Sequence, residues 1–381
     1  MSLSRRTLLT GCTAAVAALP LLTACSPAQA RNSLAGSRAA EPDLSTADGW
    51  LTWIADNRDH LALSLTDTAG LRVAHRARTT QPLASAVKVA QLAAYATAVA
   101  EGGLDPNEQI RVGDWERYYV PVDGGAHLNA LAELGIPTDA TGLYAADPEL
   151  RVALERLVTM MIAHSDSAVP DLLRDRLGTE AVLRAARAGG WADADVRSLC
   201  AEYLFLLLPD EAPAPGAPLP RRLAIGFELE RRHRDDEALR DQVRDRLLTQ
   251  PLPTYDAQLT WASDTAASTP EQLAALHRAI AEGRYLPGPA GDIARGVLEG
   301  KAAGNLPADM LGFGFKGGSL PGVLTAGMSA RFTDGRVAAG ALLAHGGISA
   351  AQLQQGDPSL PLLTALRDPA WRDRLISALR G

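Results

Sequence analysis

Apolar residues follow different patterns in different parts of this chain. Strand signals occur at residues 61–66 and 71–75, and again at residues 311–315, 323–332 and 336–345. Apolar residues at helical spacing predict helices at residues 44–56, 85–101, 148–163, 169–177, 179–188, 221–248, 269–281, 289–299 and 369–379. Strands at both ends with helices between them predict an α/β (α+β) fold. Its antiparallel sheet is built from N- and C-terminal strands flanked by terminal helices, and an all-helical subdomain completes it.

Turn and loop signals separate these elements. Residues 67–70 and 333–335 end in glycine between two strand signals, which predicts a hairpin at each position. Residues 105–147 lack a regular period, and residues 209–220 contain five prolines, so both stretches are predicted to be loops. Residues 221–248 alternate charge clusters with spaced apolar residues, which favours a solvated amphipathic helix.

Composition narrows the class of protein. The 381 residues are 47% hydrophobic and 21% charged, enough for a sizeable core in one large domain or two closely packed ones. A net charge of -7 gives no excess of basic residues to neutralise phosphates, so nucleic-acid binding is not expected. The expected partner is a small molecule or a cell-wall polymer.

The N-terminus has the features of an export signal. Arg5 and Arg6 form a twin arginine, and an apolar run reaches residue 24. Leu22-Thr23-Ala24-Cys25 resembles a bacterial lipobox, in which Cys25 is lipidated. The alternative is plain secretion, with cleavage at Ala28-Gln29-Ala30. We therefore expect either a lipoprotein anchored on the outer side of the cytoplasmic membrane or a secreted protein.

The domain organisation follows from these signals. Residues 1–25 are the predicted export signal, residues 26–43 a flexible tether, and residues 44–381 the folded domain. After processing, Cys200 is the only thiol left, so no intramolecular disulfide can form, and a buried structural thiol is expected there. The seven histidines are scattered singly, which gives no support for a metal site. No cofactor is expected, and we expect a monomer.

A serine and a lysine at the start of an apolar run are the first candidates for chemistry. Ser85 and Lys88, three residues apart, would share one face of a first helical turn. A serine hydroxyl needs a base to take its proton, and a lysine can serve only if burial or a second cation lowers its pKa. The ordinary alternative is a solvated helix start, since Ser-x-x-Lys is common by chance.

Two further motifs accompany this pair in a characteristic order. Ser165-Asp166-Ser167 lies between two predicted helices, and Lys316-Gly317-Gly318 lies on a predicted strand. With Ser85-Ala86-Val87-Lys88, they follow the order S-x-x-K, S-D-N and K-T-G. The chain therefore resembles the serine beta-lactamase and penicillin-binding protein superfamily, most closely its class A beta-lactamase-like branch, over residues 44–380. Tyr119-Val120-Pro121-Val122 resembles that family's Tyr-x-Pro-Val.

The resemblance implies roles for individual residues. Ser85 would form an acyl-enzyme with Lys88 as its base, and Ser165, near Lys316, would pass a proton to the leaving nitrogen. Backbone N–H groups of Ser85 and Ser319 would form the oxyanion hole. The implied catalytic residues are Ser85, Lys88, Ser165, Lys316 and Glu202, and the implied substrate-binding residues are Tyr119, Ser167, Gly317, Gly318 and Ser319.

The chain also departs from the family pattern. Ser167 replaces an asparagine, and Gly317 replaces a threonine or serine that helps to hold the substrate carboxylate. Glu202 is the candidate base for deacylation but lacks the neighbouring asparagine, and Glu211 is a weaker candidate. The resemblance places the helical subdomain at about residues 84–300, with an insertion at residues 209–250 over the site.

We accordingly expect an exported serine hydrolase of beta-lactamase type that acts on an amide, such as a beta-lactam, through a Ser85 acyl-enzyme. The alternatives are a D-alanyl-D-alanine peptidase-like wall hydrolase, with a peptidoglycan-like substrate, and a noncatalytic binding lipoprotein that retains the fold.

Overall fold

The computed structural model describes residues 41–214, 216–283 and 289–381. The predicted export signal with Cys25, the alternative cleavage site at residues 28–30 and most of the predicted tether lie outside the described residues. Within the described residues, no helix combines the length and apolarity needed to cross a membrane.

Helices dominate the middle of the chain. The α-helices are α1 (Ala47–Asn57), α2 (Lys88–Ala100), α3 (Val112–Glu116), α4 (Ala126–Leu134), α5 (Leu154–Ala163), α6 (Val169–Leu177), α7 (Thr179–Ala188), α8 (Leu199–Leu207), α9 (Leu219–Asp235), α10 (Glu237–Thr249), α11 (Tyr255–Ala262), α12 (Pro270–Glu282), α13 (Ala290–Gly300), α14 (Ala350–Gln355), α15 (Leu360–Arg367) and α16 (Pro369–Arg380). The strands are β1 (Leu61–Asp67), β2 (Arg72–His75), β3 (Gln81–Pro82), β4 (Gln109–Arg111), β5 (Arg151–Ala153), β6 (Ala267–Ser268), β7 (Met310–Leu320), β8 (Val323–Phe332) and β9 (Val337–His345).

The main sheet joins the two ends of the chain, which confirms the predicted fold class. Its five strands run in the order β2-β1-β9-β8-β7, and neighbouring strands are antiparallel. Leu63 on β1 pairs with Leu342 on β9, so residues from distant parts of the chain lie side by side. The third sequence motif lies on β7, at the edge of the sheet.

The sheet separates two apolar cores. On one face, α1, α15 and α16 pack with the strands around Trp50 and Trp53, whose indole N–H groups donate to backbone carbonyls of Asp357 and Gly347. On the other face, α12 lies between the sheet and the helical part of the chain, where α2 is the most buried helix. Because Lys88 begins α2, its side chain starts inside this second core.

Two predicted helices were wrong in their extent. Residues 148–163 form β5 before α5 begins at Leu154, because the first residues pair with β4 in a small antiparallel ladder. Residues 221–248 form two helices instead of one, since Asp236 leaves the helical conformation and its side chain caps α10. The predicted loop at residues 209–220 contains a short 3-10 helix at Pro209–Glu211, and α9 begins within it.

The segment from α8 to α11 has a core of its own, and we call it the α8–α11 segment. Phe205 and Leu207 on α8 pack with Leu229 on α9 and Val243 on α10. Charged side chains of α9 are buried as well, among them Arg222. α9 is therefore amphipathic, as predicted for residues 221–248, since one face packs against α8 and the other is exposed.

Candidate active site

Ser85 lies in a short turn that leads directly into α2. Residues Ala84–Val87 form a 3-10 helix, and Lys88 is the first residue of α2. Ala84 has a φ of 47°, a left-handed conformation that residues with a side chain seldom adopt. Such strain needs support from the surroundings, and it is often found at functional sites. The turn sets the Ser85 hydroxyl 3.0 Å from Lys88 Nζ, as the three-residue spacing predicted.

Lys88 is fully buried among oxygen atoms of neutral groups. Besides Ser85 Oγ, its Nζ contacts Ser167 Oγ at 3.0 Å, Ser165 Oγ at 3.3 Å and the backbone carbonyl of Ser165. A neutral amine has two N–H donors and one lone pair, so two of these oxygens can accept while the lone pair faces a third. Lys88 can therefore serve as a base for Ser85.

A second lysine, Lys316, contacts the Ser165 hydroxyl from the main sheet. Lys316, on β7, places its Nζ 2.9 Å from Ser165 Oγ and 2.7 Å from its neighbour's carbonyl oxygen, Gly317 O. Ser165 has a φ of 69°, so its backbone is also held in a left-handed conformation. We call Ser85, Lys88, Ser165, Ser167 and Lys316 the lysine cluster.

Burial lowers the pKa of both lysines, so each loses its proton more readily than usual. Burial lowers the pKa of Lys88 to about 8, and it prevails over the charges of Asp166, Asp123 and Asp171, which favour the protonated form. Burial, followed by the charge of Lys88, lowers the pKa of Lys316 well below its usual value. Desolvation is therefore the main cause at both positions, and the repulsion between the two lysines is secondary.

The backbone of β7 lies directly against the Ser85 turn. A Cβ atom on Gly318 would lie 2.5 Å from Ser85 N, so only glycine permits this approach. The contact brings the backbone of Gly318, the residue before Ser319, close to the backbone N of Ser85. At Gly317 a Cβ would lie 2.8 Å from Phe315 Cζ, so the threonine expected there would require the phenyl ring to move.

Asp166 lies between Ser165 and Ser167 and holds their loop in place through hydrogen bonds. It is fully buried, and it accepts from Ala168 N at 3.0 Å and Val169 N at 2.8 Å at the start of α6. Its other oxygen contacts His127 Nδ1 at 2.8 Å. Asp166 thus binds the backbone at the start of α6, which leaves the hydroxyls of the neighbouring serines for the lysines.

His127 is a supporting residue that the sequence reasoning missed. Although burial acts to lower it, hydrogen bonds to Asp166 and Glu116 raise the pKa of His127 to about 9. The imidazolium lies between these two carboxylates, with Nε2 3.2 Å from Glu116 Oε1. Its partners are distant in sequence, so a lone histidine gave no signal.

Tyr119 was expected at the wall of the substrate site. Its side chain is instead 2% exposed and stacks on His127, with ring centroids 4.0 Å apart. Tyr119 therefore packs against His127, which in turn contacts Asp166 of the Ser165-Asp166-Ser167 loop. Its ring is not exposed to solvent.

Glu202 lies in a network of arginines. Its oxygens accept from both Nε and Nη2 of Arg222, with Nε–Oε1 at 2.9 Å, and Arg197 Nη1 lies 3.5 Å away. Arg222 also contacts Asp264. We call Glu202, Arg197, Arg222 and Asp264 the arginine network. Burial raises the pKa of Glu202 in spite of the two arginines.

Both oxygens of Glu202 are bound by Arg222, and within the described residues Glu202 forms no hydrogen bond or ion pair with the lysine cluster. The structure thus brings together Ser85, Lys88, Ser165, Ser167 and Lys316, with the backbone of residues 317–319 beside them. It does not bring Glu202 or Tyr119 into direct contact with them, and their assigned roles stay predictions.

Cys200 is buried, as expected for a structural thiol. Its sulfur lies 3.6 Å from His233 Nδ1, a contact that no sequence spacing suggested. Burial, with the charges of Glu230 and Asp171, raises the pKa of Cys200 well above its usual value, so the thiol stays protonated.

Solved structures similar to this chain share its fold. A beta-lactamase from Sphaerobacter thermophilus DSM 20745 superimposes with a TM-score of 0.52 at 17% identity, covering 83% of this chain and 94% of that one. A class A beta-lactamase representing the last common ancestor of Gram-negative bacteria gives a TM-score of 0.51 at 18% identity, covering 84% and 98%. The TLA-3 extended-spectrum beta-lactamase gives 0.51 at 10% identity, covering 86% and 98%.

Sequence comparison gives the family directly. No curated protein matches the chain. The family described as Beta-lactamase enzyme family matches residues 52–351, which include all three motifs that form the lysine cluster. A serine beside a buried lysine, a second lysine on the edge strand and the matching fold all agree with that result, and this chain therefore belongs to the beta-lactamase enzyme family.

Proposed function

We propose that this protein is an exported serine hydrolase that opens an amide, such as a beta-lactam, through an acyl-enzyme on Ser85. One observation carries the proposal: Lys88 Nζ, buried and with its pKa lowered to about 8, lies 3.0 Å from Ser85 Oγ. A buried cation without an ion-pair partner is costly, so its retention beside a serine is best explained by proton transfer.

The proposed acylation uses four members of the lysine cluster: Ser85, Lys88, Ser165 and Lys316. Neutral Lys88 takes the proton of Ser85 as Oγ attacks the carbonyl carbon, and the carbonyl oxygen becomes an oxyanion held by the N–H groups of Ser85 and Ser319. The C–N bond then breaks, and the leaving nitrogen takes a proton from the Ser165 hydroxyl. Because Ser165 Oγ contacts both Lys88 and Lys316, a lysine can return a proton to it.

A second candidate is a D-alanyl-D-alanine peptidase-like wall hydrolase that releases its acyl group slowly. The contacts of Glu202 favour it, since a carboxylate that accepts from Arg222 with both oxygens is poorly placed to activate water. Both candidates share the acylation step and differ only in the lifetime of the acyl-enzyme.

Intact-mass measurement of the purified domain, followed over time with benzylpenicillin, tests both candidates. We expect a mass increase of one penicillin that is lost in Ser85→Ala and kept in Ser377→Ala, which removes an exposed hydroxyl on α16. A transient adduct supports the lactamase, and a persistent one supports the peptidase. Failure of the wild type to label with any acyl probe would leave the noncatalytic binding protein.

Export and anchoring belong to the same proposal and rest on the sequence alone. The twin arginine and the lipobox ending at Cys25 support a lipoprotein on the outer side of the cytoplasmic membrane. In fractionated cells, the full chain should be found with the membrane, and Cys25→Ala should release it. Equal amounts of both proteins in the soluble fraction would contradict anchoring.

A further inference from the structure

Strand β7 runs past the reactive serine and gives the site two ends. Lys316, whose Nζ lies 2.9 Å from Ser165 Oγ, is at one end. Gly318 lies against the backbone of Ser85, and Leu320 is the last residue of the strand. At the usual rise of a strand, Lys316 and Leu320 are about 13 Å apart along β7. They therefore lie on opposite sides of the contact between Gly318 and Ser85.

The proposed acylation assigns one half of the substrate to each end. The leaving nitrogen takes its proton from the Ser165 hydroxyl, so the leaving half of the amide lies at the Lys316 end. The carbonyl carbon is bonded to Ser85 Oγ between the two ends. Because the acyl substituent and the nitrogen are attached to different sides of that carbon, the acyl substituent extends toward Leu320.

The Leu320 end of the site is apolar. Trp261 on α11 and Leu320 both pack against a small cluster formed by Ala84, Ala262 and Val323. Both side chains also keep part of their surface exposed. Ala84 directly precedes the nucleophile in the chain, so this apolar surface begins beside the reactive hydroxyl.

Neighbouring groups fix the Trp261 ring and use its only polar atom. Nε1 donates to the backbone oxygen of Glu202 at 2.8 Å, and the Tyr203 ring packs against the indole with centroids 5.8 Å apart. The indole is therefore held between α8 and α11, and the surface that it leaves exposed is apolar. A fixed aromatic surface of this kind favours apolar and aromatic groups of a ligand.

We propose that Trp261 and Leu320 form a subsite for the acyl substituent, with Trp261 as the main specificity-determining residue. The substrate class is an amide or lactam whose acyl half carries an uncharged aromatic or bulky apolar group. Tyr119, the aromatic residue expected at the substrate wall, is 2% exposed and stacks on His127 instead. The inference rests on the proposed function, because it places the acyl half relative to Ser85.

Two penicillins that differ only in the acyl substituent test this subsite. Benzylpenicillin carries a phenylacetyl group, and 6-acetamidopenicillanic acid carries an acetyl group in its place. The wild type should be acylated about tenfold faster by benzylpenicillin, because the phenyl ring buries apolar surface against Trp261 and Leu320. Intact-mass measurement of quenched samples gives the two second-order rate constants. A ratio near one in the wild type overturns the inference.

Trp261→Ala should bring this ratio close to one by slowing acylation by benzylpenicillin alone. Trp261→Phe should keep most of the ratio, although phenylalanine cannot donate to the backbone oxygen of Glu202. A merely structural role of Trp261 predicts that both penicillins react more slowly by the same factor. Equal slowing of the two in Trp261→Ala, with the ratio unchanged, therefore overturns the inference.

Leu320→Ala keeps the indole and its hydrogen bond, and it should lower the ratio by about threefold, since it removes less apolar surface. Leu311→Ala is the matched control, because Leu311 is a leucine 56% exposed at the opposite end of the same strand. Its ratio should equal that of the wild type.

Two other outcomes are distinguished by the same series. If Trp261→Ala does not fold, an unchanged ratio in Leu320→Ala, or an equal loss in Leu311→Ala, still overturns the inference. If neither penicillin acylates the wild type, the proposed function fails, and the inference fails with it for that separate reason.

Discussion

Buried and partly buried cations form two groups in this molecule, and the two groups have different polar partners. In the lysine cluster, Lys88 and Lys316 contact hydroxyl and carbonyl oxygens, and neither forms an ion pair within the described residues. In the arginine network, Arg197 and Arg222 contact carboxylates. Burial lowers the pKa of Lys88 to about 8, whereas Asp195 and Glu202 raise the pKa of Arg197 even though burial acts against them.

The difference shows how one polypeptide keeps structural and reactive charges apart. The chain has 37 lysines and arginines, and only three of them are lysines, at positions 88, 301 and 316. A guanidinium cannot lose its proton in a protein, but it binds carboxylates with two parallel hydrogen bonds. An ammonium group without a carboxylate can become a base. Arginine thus carries the structural ion pairs, and two of the three lysines are available for the proposed chemistry.

The largest expected effect comes from exchanging the cation at the reactive position. Lys88→Arg keeps the positive charge but removes the group that can accept a proton, so acylation of Ser85 should fall by about 100-fold to 10,000-fold. Wild-type acylation should rise with pH through a midpoint near 8, because Lys88 is protonated below that pH and has no lone pair there. Stopped-flow acylation by a chromogenic cephalosporin measures both.

Lys301→Arg is the matched control for this exchange, since Lys301 is exposed and its Nζ contacts the backbone oxygen of Ala163. Its rate and midpoint should stay close to those of the wild type. A Lys88→Arg protein that acylates at the wild-type rate would show that the charge of Lys88, and not its lone pair, is what the site uses.

Removing the carboxylate from the arginine network should affect stability more than chemistry. Glu202→Gln leaves Arg222 buried without its bidentate partner, which typically costs about 3 kcal/mol of unfolding free energy. Urea unfolding measures this loss. The lifetime of the penicillin adduct should not change, because both carboxylate oxygens of Glu202 are already bound by Arg222.

Glu211→Gln is the matched control, because Glu211 forms a similar two-bond pair with Arg232 at an exposed position. Its stability should stay close to that of the wild type, as is usual for exposed pairs. An adduct that persists much longer in Glu202→Gln than in the wild type would identify Glu202 as the deacylating base and contradict the anchoring role.

The smallest expected effect is the reverse exchange within the network. Arg222→Lys keeps the charge but cannot hold both Glu202 oxygens and Asp264 at once, so we expect a loss of about 1–2 kcal/mol in unfolding free energy. Arg232→Lys makes the same change at the exposed pair and should cost less. Equal losses at the two positions would mean that burial does not distinguish the arginine network.

The spacing of residues along the sequence predicted the contact between Ser85 and Lys88, because that contact forms within one helical turn. The close approach of Gly318 to Ser85 N was not predicted, and the substrate-binding role predicted for Gly318 stays a prediction. The order of the three motifs also gave the fold, since a helix and an edge strand carry their residues.

The remainder depended on partners that no local pattern specifies. Glu202 was predicted as a base because of the number of residues that separate it from Ser165 in the sequence. Its environment is instead set by Arg222 on another helix. His127 and Tyr119 support the Ser165-Asp166-Ser167 loop through a ring stack that forms only after the helices pack. The break at Asp236 was missed because a single capping residue interrupts an otherwise continuous helical pattern.

The pairing of β1 with β9 has a consequence for biosynthesis. Leu63 cannot meet Leu342 until all the residues between them have left the ribosome, so the central sheet closes only after β9 has been synthesised. Until then β1 exposes an unpaired apolar edge, which is a template for aggregation. A chain that stops before β9 should therefore require a chaperone or be degraded, even though it already contains every residue of the lysine cluster.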